Sequence, residues 1–535
     1  MRVNTLLITT LILVGVAGCE GGGVDVGVST VDNSVDNSTS TGNGGGSDNP
    51  CANYTDPATT TVVRGSFDGT NCTYSSSFVG VSKPLTVDLT IPFISGVHIF
   101  QDSLFVGEDV SSGAPAGGEG PTLTIQAGNT LAFSDSADYV LINRGSQITA
   151  EGSPSAPIIF TGFTDAVTGT AGPEDVQLWG GIVINGNGIT NNCSDAERAA
   201  DQCHVVSEGQ PSNYGGNDNA ESSGVLRYVI VKHAGFEVAT DDELNGVTFN
   251  AVGSGTIVEN LQVYSAYDDG VEFFGGAVNL ANVLLMYVRD DALDFSDGYV
   301  GTISNALIIQ QADDGNNCIE LDNIGASRSD LGQAFDTPPV TTPTVSNMTC
   351  IMSRQLGGTH GNSQGITVRQ GGRLVLADSI IDTSKAISVL ARVSDTDNPC
   401  YRIQSDTGLA DAQAGQTTAN DTIIACQTGA AAPGAFANGD TFVEWLAGAN
   451  PSTNGENYSF NAENTLLTDP ANANVSLLTA GTFFTADALT DASGTAIAIT
   501  PASGLVGAIT EDDDWTAPWA YGIRDSNRGQ PLWCE

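Results

Sequence analysis

Basic residues are scarce in this chain: 17 Lys and Arg stand against 62 Asp and Glu, a net charge of −45, and the lysines are Lys83, Lys232 and Lys385 alone. Such a surface repels nucleic acid and anionic headgroups, which leaves cations and neutral or cationic polymers as partners. Histidine is rarer still. His98, His204, His233 and His360 are too scattered to argue a metal site and read as structural or exposed, and all four precede Ser363. The segment Gly361-Asn-Ser-Gln-Gly365 has the form of a nucleophile elbow, but an α/β-hydrolase needs its histidine after the serine, so among 64 glycines this is a chance match. No cysteine pair has CxxC or zinc-like spacing, and there is no P-loop, dinucleotide fingerprint or complete EF-hand loop.

The N-terminus has the shape of a lipoprotein signal peptide over residues 1–18: Arg2, an apolar run from Leu6 to Val14, then Val16-Ala-Gly-Cys19. An ordinary secretory signal is the alternative, and the run is too short for a membrane anchor of roughly 20 apolar residues. Lipidation is expected at Cys19, and Glu20 in place of Asp after it is similar to the sorting pattern for the outer membrane. The expected location is therefore the cell envelope, with a lipid anchor in the outer membrane and the body exposed at the surface. Residues 19–50 are Gly, Ser, Thr, Asn and Asp with a few valines, a flexible tether. Beyond Cys19 lie nine cysteines, and disulfides are the default after export. Chain proximity suggests Cys51–Cys72, Cys193–Cys203, Cys318–Cys350 and Cys400–Cys426, and the odd number leaves one cysteine over, with Cys534 the candidate.

The informative stretch reads VENLQVYSAYDDGVEFFGGAVN (258–279), LANVLLMYVRDDALDFSDGYVG (280–301) and TISNALIIQQADDGNNCIELDN (302–323). Asp-Asp pairs recur at 268/269, 290/291 and 313/314 between short alternating strands. A period near 22 with no helical pattern excludes βαβ units and fits one coil of a parallel β-helix. The β-helix is expected over 121–435, and its residues from about 120 to 400 predict roughly 10–12 coils and a rod on the order of 50–60 Å. Residues 51–120 are expected to form the N-terminal cap and first coils, and 436–535 to cap the other end, with Trp515, Trp519, Tyr521 and Trp533 stacked as a cap or forming a carbohydrate platform. Inserts at 164–176, 191–223 and 327–343 are expected as loops on the faces.

The succession of Ala-Pro-Ile-Ile-Phe-Thr (156–161), Trp-Gly-Gly-Ile-Val-Ile-Asn-Gly (179–186), Asp-Asp-Gly coils and the close Val506-Gly-Ala…Asp-Trp515-Thr resembles secreted bacterial right-handed parallel β-helix lipoproteins of the pectin-lyase-like fold. Size and acidity are also similar to the β-helical S-layer proteins of marine gammaproteobacteria. These resemblances imply an all-β solenoid and, from the second, a surface layer.

Stacked coils are expected to put Asp268, Asp290 and Asp313 in one column, Asp269, Asp291 and Asp314 in a second, and Glu272, Asp294 and Glu320 in a third, with Asp297 and Asp322 close by. Like charges one coil apart repel by about 3.5 kcal/mol at an effective dielectric of 20, but by only about 0.9 in water. The columns are therefore either solvated or neutralised, and Ca²⁺ suits such hard oxygen donors. The catalytic alternative resembles pectin-hydrolysing β-helix enzymes, with Asp290, Asp291, Asp313 and His360 as its candidates. Here Thr359 stands where that pattern has Gly, and a later Arg-Ile-Lys is missing. The expected function is a non-enzymatic envelope or matrix element with cation-bridged acidic faces and self-assembly. Its alternatives are a polysaccharide hydrolase or lyase and an adhesin.

Overall fold

The computed structural model of the protein describes residues 49–109, 120–382, 398–446 and 507–534, short gaps within these ranges apart. The signal peptide, Cys19, Cys426 and nearly all of the tether lie outside them.

Val271–Phe274 shows how one coil is made. Its β-branched and aromatic residues alternate, so Val271 and Phe273 point to one side and Glu272 to the other. The strand pairs in parallel with Val247–Asn250 and Leu293–Ser296, in the register Val247–Val271–Leu293 and Phe249–Phe273–Phe295. Continued pairing of this kind gives a ten-stranded parallel sheet (sheet 1) from Leu104–Val106 to Ala430–Ala431. Ten strands at about 4.8 Å span about 45 Å, somewhat less than the repeat spacing predicts, because the inserts consume chain between coils.

The other walls come from a seventeen-stranded sheet (sheet 2) whose longest strands include Ile257–Tyr264, Asn279–Met286, Thr302–Ile309 and Thr344–Ile351. Each of these bends at one left-handed residue, Asn260, Asn282, Asn305 or Asn347, with φ of 53–59°. Asparagine tolerates that conformation better than other side chains. Its amide also bridges coils, for Asn282 Nδ2 donates to Asn260 Oδ1 at 3.2 Å and Asn305 Nδ2 to Asn282 Oδ1 at 3.0 Å. On either side of the bend, the two halves of Thr344–Ile351 pair with separate strands, Val375–Ala377 and Ile380–Asp382.

Inside, Phe273 lies between Phe249 and Phe295 at centroid distances of 5.6 and 4.9 Å. Tyr54, Tyr74 and Phe78 join the core at the N-terminal end beside the Cys51–Cys72 disulfide. At the other end the Trp445 N–H closes a helical turn on Thr441 O at 3.0 Å, and Phe436, Phe442, Trp445 and Leu446 complete the core. Cys193–Cys203 and Cys318–Cys350 are formed as the spacing suggests, and Cys400 is disulfide-bonded.

The tail departs from expectation. Residues 507–534 do not sit over the end of the solenoid; they run along the outer wall of sheet 2, with Trp519 buried and Trp515, Tyr521 and Trp533 half-buried. Trp519, Ala520, Ile523, Leu532 and Cys534 form a second core there with Ile230, Tyr264, Leu284, Met286 and Leu307. The outward side chains of those coils are apolar, so they need a covering layer.

Candidate functional site

The turns that lead into sheet 1 carry the acidic pairs, and hydrogen bonds between coils set their register. Asp269 N–H donates to Asn245 Oδ1 (3.0 Å), Asp291 N–H to Asp269 Oδ1 (3.0 Å) and Asn317 N–H to Asp291 Oδ1 (2.6 Å). This column therefore runs Asn245, Asp269, Asp291, Asn317. In the neighbouring column Asn316 follows Asp290, to which its Nδ2 donates at 3.0 Å.

Asp313 and Asp314 consequently leave the two columns to which the Asp-Asp spacing assigns them. Sheet 1 pairs Leu293 with Ile319, 26 positions on, whereas it pairs Val271 with Leu293, 22 on, and the extra residues bulge out as a loop. Asp313 is exposed. Asp314 accepts the Thr359 N–H (2.7 Å) and hydroxyl (2.6 Å) and so fixes the loop that carries His360.

The third column forms as expected: Glu272, Asp294 and Glu320 are direct neighbours in the parallel register, flanked by Thr248 and Thr367. Glu272 and Glu320 are each only 7% exposed, and Asp294 between them is half-buried. Two elements outside the repeat roof this column. One is the insert of residues 191–223, braced by Cys193–Cys203, whose Glu208 lies near Glu272 and Asp294; the other is the hairpin of Phe236–Ala239 and Asp242–Leu244, whose Glu243 lies near Asp268.

Carboxylate oxygens of Asp269, Glu272 and Asp294 lie within 4.8 Å of one another, as do those of Asp291, Asp294 and Glu320, and those of Asp269, Asp290 and Asp291. Arg369 answers part of this charge. Its guanidinium contacts Glu320 and binds Asp322 at 2.9–3.0 Å. Asp297 stands apart from the columns, paired with Arg328 at 2.6 Å and hydrogen-bonded by Tyr214 at 3.2 Å. Asp294 Oδ1, by contrast, is shut off from solvent with no hydrogen-bond partner. Burial, reinforced by the neighbouring acids, pushes Asp268, Asp269, Glu272 and Asp291 well above the usual carboxylate range. Burial likewise raises Asp294 to about 8, and Asp322 to about 6 in spite of Arg369.

At the edge of this cluster His360 Nδ1 is 3.3 Å from Asp290 and 3.8 Å from Asp268, with Tyr267 edge-on to its ring at 5.0 Å. Burial disfavours the imidazolium, yet the hydrogen bond and charge of Asp290 prevail and raise the pKa. His360 is thus half-buried and paired with acids, not exposed. Ser363, in the elbow-like segment, is buried and donates to Gln310 Oε1 at 2.5 Å rather than to a histidine.

Glu208, Glu243, Asn245, Asn317 and Arg369 escaped the sequence reading. Arg369 alone carries a signal, because it directly follows the strand Gln364–Val368 as Asp322 follows Asn317–Leu321. The roof residues sit in inserts that obey no period.

A family model described as pectate-lyase-like beta helix domain matches residues 112–450. Searches of curated proteins and of solved structures give no match.

Proposed function

The chain belongs to the pectate-lyase-like β-helix family, and on that premise we propose a non-enzymatic scaffold of the cell envelope or extracellular matrix whose wall is stapled by a divalent cation, Ca²⁺ by the chemistry of its donors. Lipidated Cys19 and the tether of residues 19–50 would hold the rod at the outer membrane, facing outward. What carries the cation reading is Asp294 Oδ1, a buried carboxylate oxygen without a partner in a ladder whose next rung, Glu320, has a guanidinium. Unpaired buried carboxylates are costly, and they recover stability by taking a proton or a metal ion. Asp269, Glu272 and Asp294 supply hard oxygens suited to Ca²⁺. Since the ladder is roofed, an ion there fastens one molecule internally, and bridging between copies falls to the acids left at the surface. Self-assembly and contact with neutral polysaccharide remain compatible with this scaffold.

The test is thermal melting with Ca²⁺ and with EGTA. Saturation at 100 times Kd should stabilise by about 2.7 kcal/mol. Asp294→Asn keeps the shape, so it should abolish the calcium effect while leaving the metal-free protein at pH 8 at least as stable as the parent. One observation favours a second reading, a polysaccharide-active enzyme: His360 faces Asp268 and Asp290 in an acid–base arrangement. Turnover of an acidic polysaccharide that His360→Ala abolishes would establish that reading in place of the scaffold.

A further inference from the structure

His360 reaches its two acids from a loop that is fixed without them. Asp314 accepts both the N–H and the hydroxyl of Thr359, the Gly358 N–H closes on Gly361 O at 2.7 Å, and Gln355 Nε2 donates to Gly361 O (3.2 Å) and Gly315 O (3.1 Å). The carboxylates come from the turns of two successive coils. Asp290 has one oxygen engaged already, since its Oδ1 accepts Asn316 Nδ2 at 3.0 Å, and its Oδ2 is the atom 3.3 Å from His360 Nδ1. Asp268 Oδ1 stands 3.8 Å from the same nitrogen. Nδ1 carries a single proton to donate, so an imidazolium serves Asp290 and leaves Asp268 beyond hydrogen-bond distance. It also leaves one negative charge of the pair unbalanced. A divalent ion set among the three donors meets both carboxylates and, with a neutral imidazole, cancels their charge.

We propose that His360 Nδ1, Asp268 and Asp290 form a second metal site, separate from the ladder and selective for a zinc-class divalent ion. Their donor atoms lie within 4.8 Å of one another. Around a tetrahedral ion with bonds of about 2.0–2.1 Å, neighbouring donors lie about 3.3–3.4 Å apart. His360 Nδ1 and Asp290 Oδ2 already have that separation, and Asp268 has only a few tenths of an ångström to close. The nitrogen donor decides the metal, because Ca²⁺ takes oxygen ligands whereas imidazole with carboxylate suits Zn²⁺ and its neighbours. Each of the three side chains keeps 16–24% of its surface exposed, so the ion retains a position open to water, as exchangeable sites do and closed structural sites do not. None of the three belongs to the set Asp269, Glu272 and Asp294, so this site does not depend on the calcium reading. Here His360 is a ligand, and Asp314 is the residue that positions it.

Titration calorimetry of the untagged full chain with Zn²⁺ tests this, with Co²⁺ as a spectroscopic stand-in for the ion. The Co²⁺ protein should show the visible bands of a four-coordinate site and a paramagnetically shifted imidazole proton. Loss of a ligand should cost more than an outer-shell change, so His360→Gln should weaken Zn²⁺ binding by more than about 100-fold and Asp314→Ala, which only frees the loop, by about 10–100-fold. Asp294→Asn should leave the Zn²⁺ affinity nearly unchanged. If His360→Gln does not fold, Asp268→Asn takes its place, with the same loss expected. Zn²⁺ affinity that survives the ligand substitution in a folded protein, or that disappears with Asp294→Asn, overturns the site. So does the absence of binding heat, or a Co²⁺ protein without the shifted imidazole proton. Calcium-dependent melting read in the same variants should persist in His360→Gln, so failure of the zinc site and failure of the calcium reading give different results.

Discussion

Phe273 and Glu272 are adjacent in the chain and opposite in environment, and the difference fixes what each substitution should do. Phe273 is fully buried and stacked within the rod. Its replacement by Ala should cost about 3–5 kcal/mol, read from denaturant unfolding; a loss under 1 would contradict the stacked core. Alternation along Val271–Phe274 makes the inward and outward sides legible in the sequence. It says nothing of what lies above the outward side, which is why the sequence leaves Glu272 either solvated or neutralised when it is in fact 7% exposed. The Asp-Asp pairs mislead for a related reason. Their spacing of 22 and 23 residues follows the turns, whereas coil-to-coil register follows the strands, and the loop before Asn317 separates the two. The amide-rich pair Asn316-Asn317 occupies the columns in place of Asp313 and Asp314, which reduces the acid that any ion must balance.

At the scale of elements, the strands of sheet 2 carry a signal for a covering layer. Val283-Leu-Leu-Met286 and Ala306-Leu-Ile-Ile309 are apolar on both faces, and a strand buried on both sides requires a layer on each. The aromatic tail is that layer. Tyr521 N–H donates to Gln262 Oε1 (2.8 Å), Gln262 Nε2 donates to Tyr521 O (2.7 Å), and Trp533 Nε1 donates to Gln310 O (2.8 Å), so the tail is stitched across successive coils. Trp519, 3% exposed and edge-on to Tyr228 at 5.7 Å, anchors it. Truncation before residue 507 should expose Ile230, Leu284 and Leu307, raise binding of a hydrophobic dye, and speed proteolysis of the central coils. Trp519→Ala should cost about 3–5 kcal/mol. A truncated protein that neither binds dye nor loses protease resistance would show that this face needs no cover.

For the molecule as a whole, the excess of acid makes pH and calcium two answers to one problem. In the unfolded chain Glu and Asp titrate near their model values of 4.5 and 3.8, whereas in the fold burial lifts Glu208 and Asp294 to about 8, Glu221 to about 7 and Asp138 to about 6. The folded state therefore binds more protons than the unfolded state between these limits. Stability is then lost as pH rises, at about 1.4 kcal/mol per pH unit for each full proton of difference. This is the reverse of the usual salt-bridged carboxylate. The metal-free protein should melt highest near pH 4–5 and fall steadily to pH 8, with Glu208 and Asp294 controlling the upper part of the range. General repulsion from a net charge of −45 runs in the same direction, but salt screens it over a Debye length of about 8–10 Å, whereas buried groups under the roof are screened much less. The measurement is therefore melting against pH at high ionic strength, in EGTA and in Ca²⁺. Calcium should do little at pH 5, where protons hold the carboxylates, and should restore most of the lost stability at pH 8. Asp294→Asn should flatten the metal-free profile. A metal-free melting temperature that is level or rising from pH 5 to pH 8 would mean that the buried carboxylates take up no protons on folding, and the argument that they need a cation at pH 8 would fall with it.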